Sequence, residues 1–82
     1  MIDAKFLKKI IDDTSMTVYR YKDYWFDVCY ETAILDSYIE AFIPEREDGI
    51  KVYFYECATK PTDIFKKGFF DSAVELFNAR LK

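Results

Sequence analysis

Apolar and polar positions at the start of the chain recur at helical spacing. The apolar stripe of residues 3 to 13 consists of Phe6, Leu7, Ile10 and Ile11. Asp3 stands where an N-cap is expected, and the lysines lie away from the stripe. We therefore predict an amphipathic helix that ends near residues 12 to 15, where four polar side chains compete with the helical backbone for hydrogen bonds.

A β-hairpin is predicted over residues 16 to 30, which contain six aromatic residues and two valines. Lys22 and Asp23 form the only polar break inside the run, so the turn is placed there, although neither residue is glycine or asparagine. In the first arm, Met16 and Val18 share one face, which we expect to point inward.

Residues 32 to 43 fit both a helical and a strand pattern. As a helix, they place Ile34, Leu35 and Phe42 on one arc, whereas as a strand they alternate with a break at Ser37. The strand is favoured because residues 39 to 43 and 50 to 57 resemble two alternating strands joined by a loop that Gly49 closes. In the second of these strands the predicted faces are Ile50, Val52 and Phe54 on one side, and Lys51, Tyr53 and Tyr55 on the other.

A second amphipathic helix is predicted at the carboxyl end, after a short turn that Thr62 or Asp63 caps. Its apolar stripe consists of Phe70, Ala73, Val74, Phe77 and Leu81. The predicted fold is a single α+β domain over residues 1 to 82, with an N-terminal helix, a three- or four-stranded antiparallel sheet and a C-terminal helix. Both helices need an apolar partner surface, so we expect both to pack on one face of the sheet.

Composition limits the chemistry that this chain can perform. Hydrophobic residues make up 51% of the 82 positions and aromatic residues 20%, which is enough for one dense core. The chain has no histidine and only two cysteines, Cys29 and Cys57, which we interpret as free buried thiols. We expect no metal, no cofactor and no catalytic activity. The first residues match neither a secretory signal nor a membrane span, so a cytoplasmic location without membrane contact is predicted.

Charge is concentrated in the predicted sheet. The net charge of the chain is −3, but residues 1 to 22, 23 to 58 and 59 to 82 carry +2, −7 and +2. One interpretation is that the acids provide solubility and protect the sheet edges. The other is that they bind a protein partner with a basic surface, in which case the binding residues are Asp23, Asp27, Glu31, Asp36, Glu40, Glu45, Glu47 and Asp48.

Tyrosines offer a second candidate surface. If one sheet face is exposed, it is predicted to carry Tyr19, Tyr21, Tyr53 and Tyr55, with Trp25 or Tyr38 as further candidates. These rings either make cross-strand pairs only, or bind a protein, or pair with a second copy of the chain. Base stacking by such a face would need clustered cations, and the acidic sequence pI of 4.8 makes direct nucleic-acid binding the weakest alternative.

The hypothesis that follows is a small acidic interaction module without catalytic activity. It would act as an inhibitor or adaptor that occupies a basic surface of a protein that handles nucleic acid. Phage-type nucleic-acid mimics, such as anti-CRISPR or anti-nuclease proteins, act in this way. The alternative is a structural domain that self-associates as a homodimer.

Overall fold

The computed structural model describes residues 2–13 and 19–81, and its elements run in the order helix, four strands, helix. The helices are α1 (Ala4–Asp12) and α2 (Lys67–Arg80). The strands are β1 (Tyr19–Tyr21), β2 (Tyr24–Cys29), β3 (Tyr38–Phe42) and β4 (Gly49–Tyr53), and they form one antiparallel sheet in the order β1-β2-β3-β4. Short 3-10 helices occupy Ile34–Asp36, Phe54–Glu56 and Pro61–Phe65. The predicted α+β fold is confirmed.

The first helix forms for the reasons that its sequence indicates. The Asp3 carboxylate accepts a hydrogen bond from the backbone N–H of Phe6 at 2.9 Å, which satisfies one of the free donors of the first turn. Leu7 and Ile10 are buried in the core. The predicted cap and apolar stripe are therefore confirmed.

The hairpin turns at Lys22 and Asp23, as predicted. Lys22 has φ of 56°, in the left-handed region that residues other than glycine adopt uncommonly. Three residues of β1 pair with β2 in register, among them Tyr19 with Phe26. The prediction that Met16 and Val18 point inward lies outside the described residues.

Neither single pattern holds for residues 32 to 43. Ile34–Asp36 form a 3-10 helix, and the predicted strand is confirmed only for β3. Ser37 lies between this 3-10 helix and β3. It is fully buried and forms two hydrogen bonds with segments on either side of this region. Its Oγ accepts from the N–H of Glu31 at 2.8 Å, and its carbonyl accepts from the N–H of Phe54 at 2.8 Å.

The fourth strand is shorter than predicted. We expected it to continue to Cys57, but it ends at Tyr53 and the chain turns into a 3-10 helix. The Glu56 carboxylate accepts from the N–H of Tyr53 at 2.9 Å, and this hydrogen bond closes the turn. Phe54 is buried, although it lies outside the strand.

Both helices pack on the same face of the sheet, as predicted. The ring of Phe26 in β2 lies 5.2 Å from Phe6 of α1 and 5.4 Å from Phe77 of α2, between ring centroids. Phe69 was missing from the predicted stripe of α2 but is buried against Phe54. Since side chains alternate along each strand, the residues between these core positions point to the opposite face, on which neither helix packs.

Candidate functional site: the open face of the sheet

The face of the sheet that lies away from the helices carries three rows of cross-strand neighbours, and we call it the open face. Pairing places Asp27 of β2 opposite Glu40 of β3, and Glu40 opposite Lys51 of β4. This central row lies between two outer rows. One outer row contains Arg20, Trp25, Phe42 and Gly49, and the other contains Cys29, Tyr38 and Tyr53.

Two acidic residues are cross-strand neighbours at the centre of the open face. Asp27 and Glu40 are cross-strand partners, and like charges directly opposite each other destabilise a sheet. The Asp27 carboxylate accepts only from the neighbouring N–H of Val28, at 2.8 Å, among the described residues. Glu40 folds over Gly49, so that its Oε2 lies 2.6 Å from the position that a Cβ on Gly49 would occupy. Neither acid forms an ion pair with a described residue.

The cations of the open face rest on aromatic rings. The Arg20 guanidinium lies 5.1 Å from the centroid of Trp25, and Lys51 Nζ lies 4.7 Å from the centroid of Tyr38. Such contacts attract a cation to the negative face of a ring. Because Arg20 is on β1 and Lys51 on β4, the two cations occupy the edge strands and the two carboxylates the central ones.

Three tyrosines cluster at one end of the open face. Tyr38 and Tyr53 stack with centroids 5.2 Å apart, and Tyr55 meets Tyr53 edge-on at 5.1 Å. Tyr55 is 58% exposed, whereas Tyr38 and Tyr53 are half-buried. A hydrogen bond with the thiol of Cys29 raises the pKa of Tyr38 to about 12.

The predicted tyrosine face is wrong for two of its four members. Tyr19 and Tyr21 lie on the helix side, because Tyr19 pairs with the buried Phe26 and both tyrosines pack against the core. The Tyr19 hydroxyl donates to Asp13 at 2.6 Å, and this hydrogen bond raises the pKa of Tyr19.

Tyr53 belongs to the open face as predicted, and Tyr55 extends it from the 3-10 helix that follows β4. Trp25 and Tyr38, named only as further candidates, lie on the open face. Phe42 was missed, although its alternation with Ala41 places it on the same face as Tyr38.

The eight predicted acids occupy three positions around the sheet. Asp27 and Glu40 are at its centre. Four acids lie in the two loops at one end, and two lie in the β2–β3 connection at the other. The four are Asp23, Glu45, Glu47 and Asp48, and the two are Glu31 and Asp36.

Ion pairs in the described part of the chain use other acids. They join Lys8 to Asp12, Lys66 to Asp63 and Arg80 to Glu56. The Arg80 guanidinium donates to Glu56 at 2.7 Å and lowers the pKa of that carboxyl, so Glu56, the ninth acid of the central segment, is compensated. The eight acids predicted to bind a partner thus have no ion pair with any residue in 2–13 or 19–81.

Basic residues partly offset the acids at one end of the sheet. A cleft between the hairpin turn and the β3–β4 loop is lined by Asp23, Trp25 and Glu45, and also by Arg20 and Arg46. The sequence could not predict that Arg20 lies beside these acids. Arg20 belongs to a segment of net positive charge and reaches the cleft only through strand pairing. This end of the sheet is therefore less negative than the segment charge of −7 indicates.

The described residues offer few thiols or metal ligands. Cys29 and Cys57 are free thiols, as predicted, but they are half-buried and not buried as we expected; burial raises the pKa of Cys57 to about 11. Within the described ranges, no three side chains of the metal-binding types are grouped closely enough to hold an ion. No helix in those ranges has the length and apolar character needed to cross a membrane.

No protein-family model, curated protein or solved structure matches this chain. The charges and rings of the open face and its surrounding loops define the candidate site.

Proposed function

We propose that this protein is a non-catalytic interaction module that occupies the basic surface of a protein that handles nucleic acid, as an inhibitor or adaptor. The supporting observation is how its charges are paired. Three acids elsewhere form ion pairs, whereas the eight acids of the sheet and its loops form none with described residues. The sheet cations Arg20 and Lys51 contact rings instead of these acids.

Carboxylates without an ion pair favour association with a basic partner. Complementary charge raises the rate of encounter and determines which partners are accepted. On a nucleic-acid-binding surface these carboxylates would contact the same lysines and arginines that otherwise bind phosphates. Their spread from the β2–β3 connection across the sheet to the β3–β4 loop suits an extended basic groove better than a single cation site.

Direct nucleic-acid binding has less support than protein binding. Aromatic rings on an open sheet can stack on bases, and Trp25, Tyr38 and Tyr53 are suitably placed. However, Asp27 and Glu40 lie between the two aromatic rows, where they would repel the phosphate backbone.

The proposal can be tested by competition. The protein would be immobilised, nuclease-treated host lysate passed over it at low salt, and the bound proteins identified by mass spectrometry. Each purified candidate would then be mixed with labelled nucleic acid and increasing amounts of this protein in a gel-shift assay. We expect nucleic acid to be released, and the affinity of the protein complex to fall as salt rises from about 0.05 to 0.5 M, since the screening length contracts below about 10 Å. A partner that binds nucleic acid and this protein simultaneously, with no dependence on salt, would refute the proposal.

A further inference from the structure

The charges of the open face are arranged in a fixed order across the sheet. From β1 to β4 they are a cation, two carboxylates and a cation, provided by Arg20, Asp27, Glu40 and Lys51. The carboxylates form the cross-strand pair at the centre, and aromatic rows flank this pair on both sides along the strands. The centre of the face is therefore a negative strip between aromatic rings.

We propose that the open face binds a segment of a partner protein that places an arginine side chain on the Asp27 and Glu40 carboxylates. This inference rests on the proposed function, and it names the chemistry by which one part of the surface recognises its partner. The arginine would supply the positive charge that the like-charged pair lacks. It would offset the like charges of the two cross-strand acids in the complex.

Arginine fits this position better than lysine. Asp27 and Glu40 are direct cross-strand neighbours, and a planar guanidinium has five donors directed to several sides, so it can donate to an acid on each strand. Its flat face can also stack on the ring of Phe42 beside the pair, whereas Trp25 and Tyr38 already carry Arg20 and Lys51 on their rings. The contact of Arg20 with Trp25 shows that a guanidinium already packs on a ring of this face.

A second copy of the chain is a poor occupant of the open face. Centred face-to-face packing would bring the Asp27 and Glu40 pair of one copy against the same pair of the other, with four carboxylates together. The edge strand β4 is also partly covered, because Arg80 donates to the backbone carbonyl of Lys51 at 2.8 Å. Both features favour a partner with different chemistry.

The test uses two fluorescein-labelled peptides that are identical except that one carries arginines where the other carries lysines. Their affinities would be measured by fluorescence anisotropy at low salt. The wild-type protein should bind the arginine peptide at least about fivefold more tightly, because charge-assisted pairing and stacking both favour the guanidinium. Equal affinities, or no binding of either peptide, would overturn the inference.

Two double variants of equal net charge show which acids cause the preference for arginine. Asp27→Asn with Glu40→Gln removes two charges from the open face, and Glu45→Gln with Glu47→Gln removes two from the β3–β4 loop. The open-face variant should lose the preference for arginine, whereas the loop variant should weaken both peptides alike and keep the preference. A preference that survives in the open-face variant would overturn the inference.

Melting temperatures show whether the open-face variant loses its preference for arginine because it misfolds. The open-face variant should melt no lower than the wild type, because it removes a repulsive cross-strand pair. If both peptides bind equally and only the loop variant weakens them, the open face is not the recognition site, while the proposed function is supported through the loops. Sedimentation velocity adds one further outcome: a wild-type dimer that the open-face variant dissociates would assign the face to a second copy and overturn the inference.

Discussion

Phe77 of α2 packs edge-on against Phe26 of β2, with ring centroids 5.4 Å apart and an angle of 69° between the ring planes. Both side chains are fully buried. Since Phe26 also contacts Phe6 of α1, these rings connect both helices to the sheet. The helix side of the sheet therefore forms the core, and neither helix packs on the open face.

Replacing Phe77 with Ala should destabilise the protein by about 3 to 5 kcal/mol, because it removes a buried ring and leaves a cavity. Urea denaturation monitored by circular dichroism would measure the free energy of unfolding. Phe65→Ala is the matched control, since this ring is 82% exposed and its loss should change stability by no more than about 0.5 kcal/mol. Similar effects of the two changes would contradict the assigned core.

Gly49→Ala should move Glu40 without unfolding the protein. The new Cβ would meet the Glu40 carboxylate, which is the mobile end of a flexible side chain, and Gly49 has no positive φ that alanine would strain. We expect a change in stability of less than about 1 kcal/mol, measured by thermal melting.

Chemical shifts of the Glu40 side chain should nevertheless change in Gly49→Ala, and the preference for the arginine peptide should decrease. Gly68→Ala provides the control, because nothing lies within 4 Å of a Cβ at that position. An unchanged preference would mean that the placement of Glu40 does not matter for recognition.

Arg80→Gln should lower stability by about 0.5 to 1 kcal/mol at pH 7, the range of a partly exposed ion pair. Arg80 lowers the pKa of Glu56 in the folded state. The stabilisation by this ion pair is therefore fully present when the pH is above the ordinary pKa of a glutamate, near 4.5. The stabilisation is lost as the pH falls through the lowered pKa that Glu56 has in the folded protein.

The difference in stability between the wild type and Arg80→Gln should therefore shrink below about pH 4.5, which urea denaturation across pH 3 to 8 would detect. Lys5→Gln, at an exposed position of α1, is the control for the loss of one positive charge. A gap between wild type and Arg80→Gln that stays constant down to pH 3 would exclude the pair as its cause.

Glu47→Lys should leave stability within about 0.5 kcal/mol of wild type, because the side chain is exposed in the β3–β4 loop. Partner binding should weaken at low salt if the loop contacts a basic surface. Glu75→Lys makes the same charge change on the exposed side of α2, and it should affect binding less. If Glu47→Lys binds normally, the loop is a solvated turn and the open face must account for binding.

The sequence alone determined the elements whose signals are local. Helical spacing and Asp3 identify α1, the polar break at Lys22 and Asp23 marks the hairpin turn, and the stripe containing Phe77 identifies α2. These features depend on side chains within a few residues of one another, so periodicity and capping are sufficient to find them.

Only the tertiary structure decided which residues share the open face. The pairing of Tyr19 with Phe26 turns that tyrosine toward the helices, and the buried Ser37 ends one element and begins another. The opposition of Asp27 and Glu40 depends on the β2–β3 register, which is fixed by packing between segments that are distant in sequence. A shift of one residue would reverse the faces of a strand, so alternation along one segment could not specify the site.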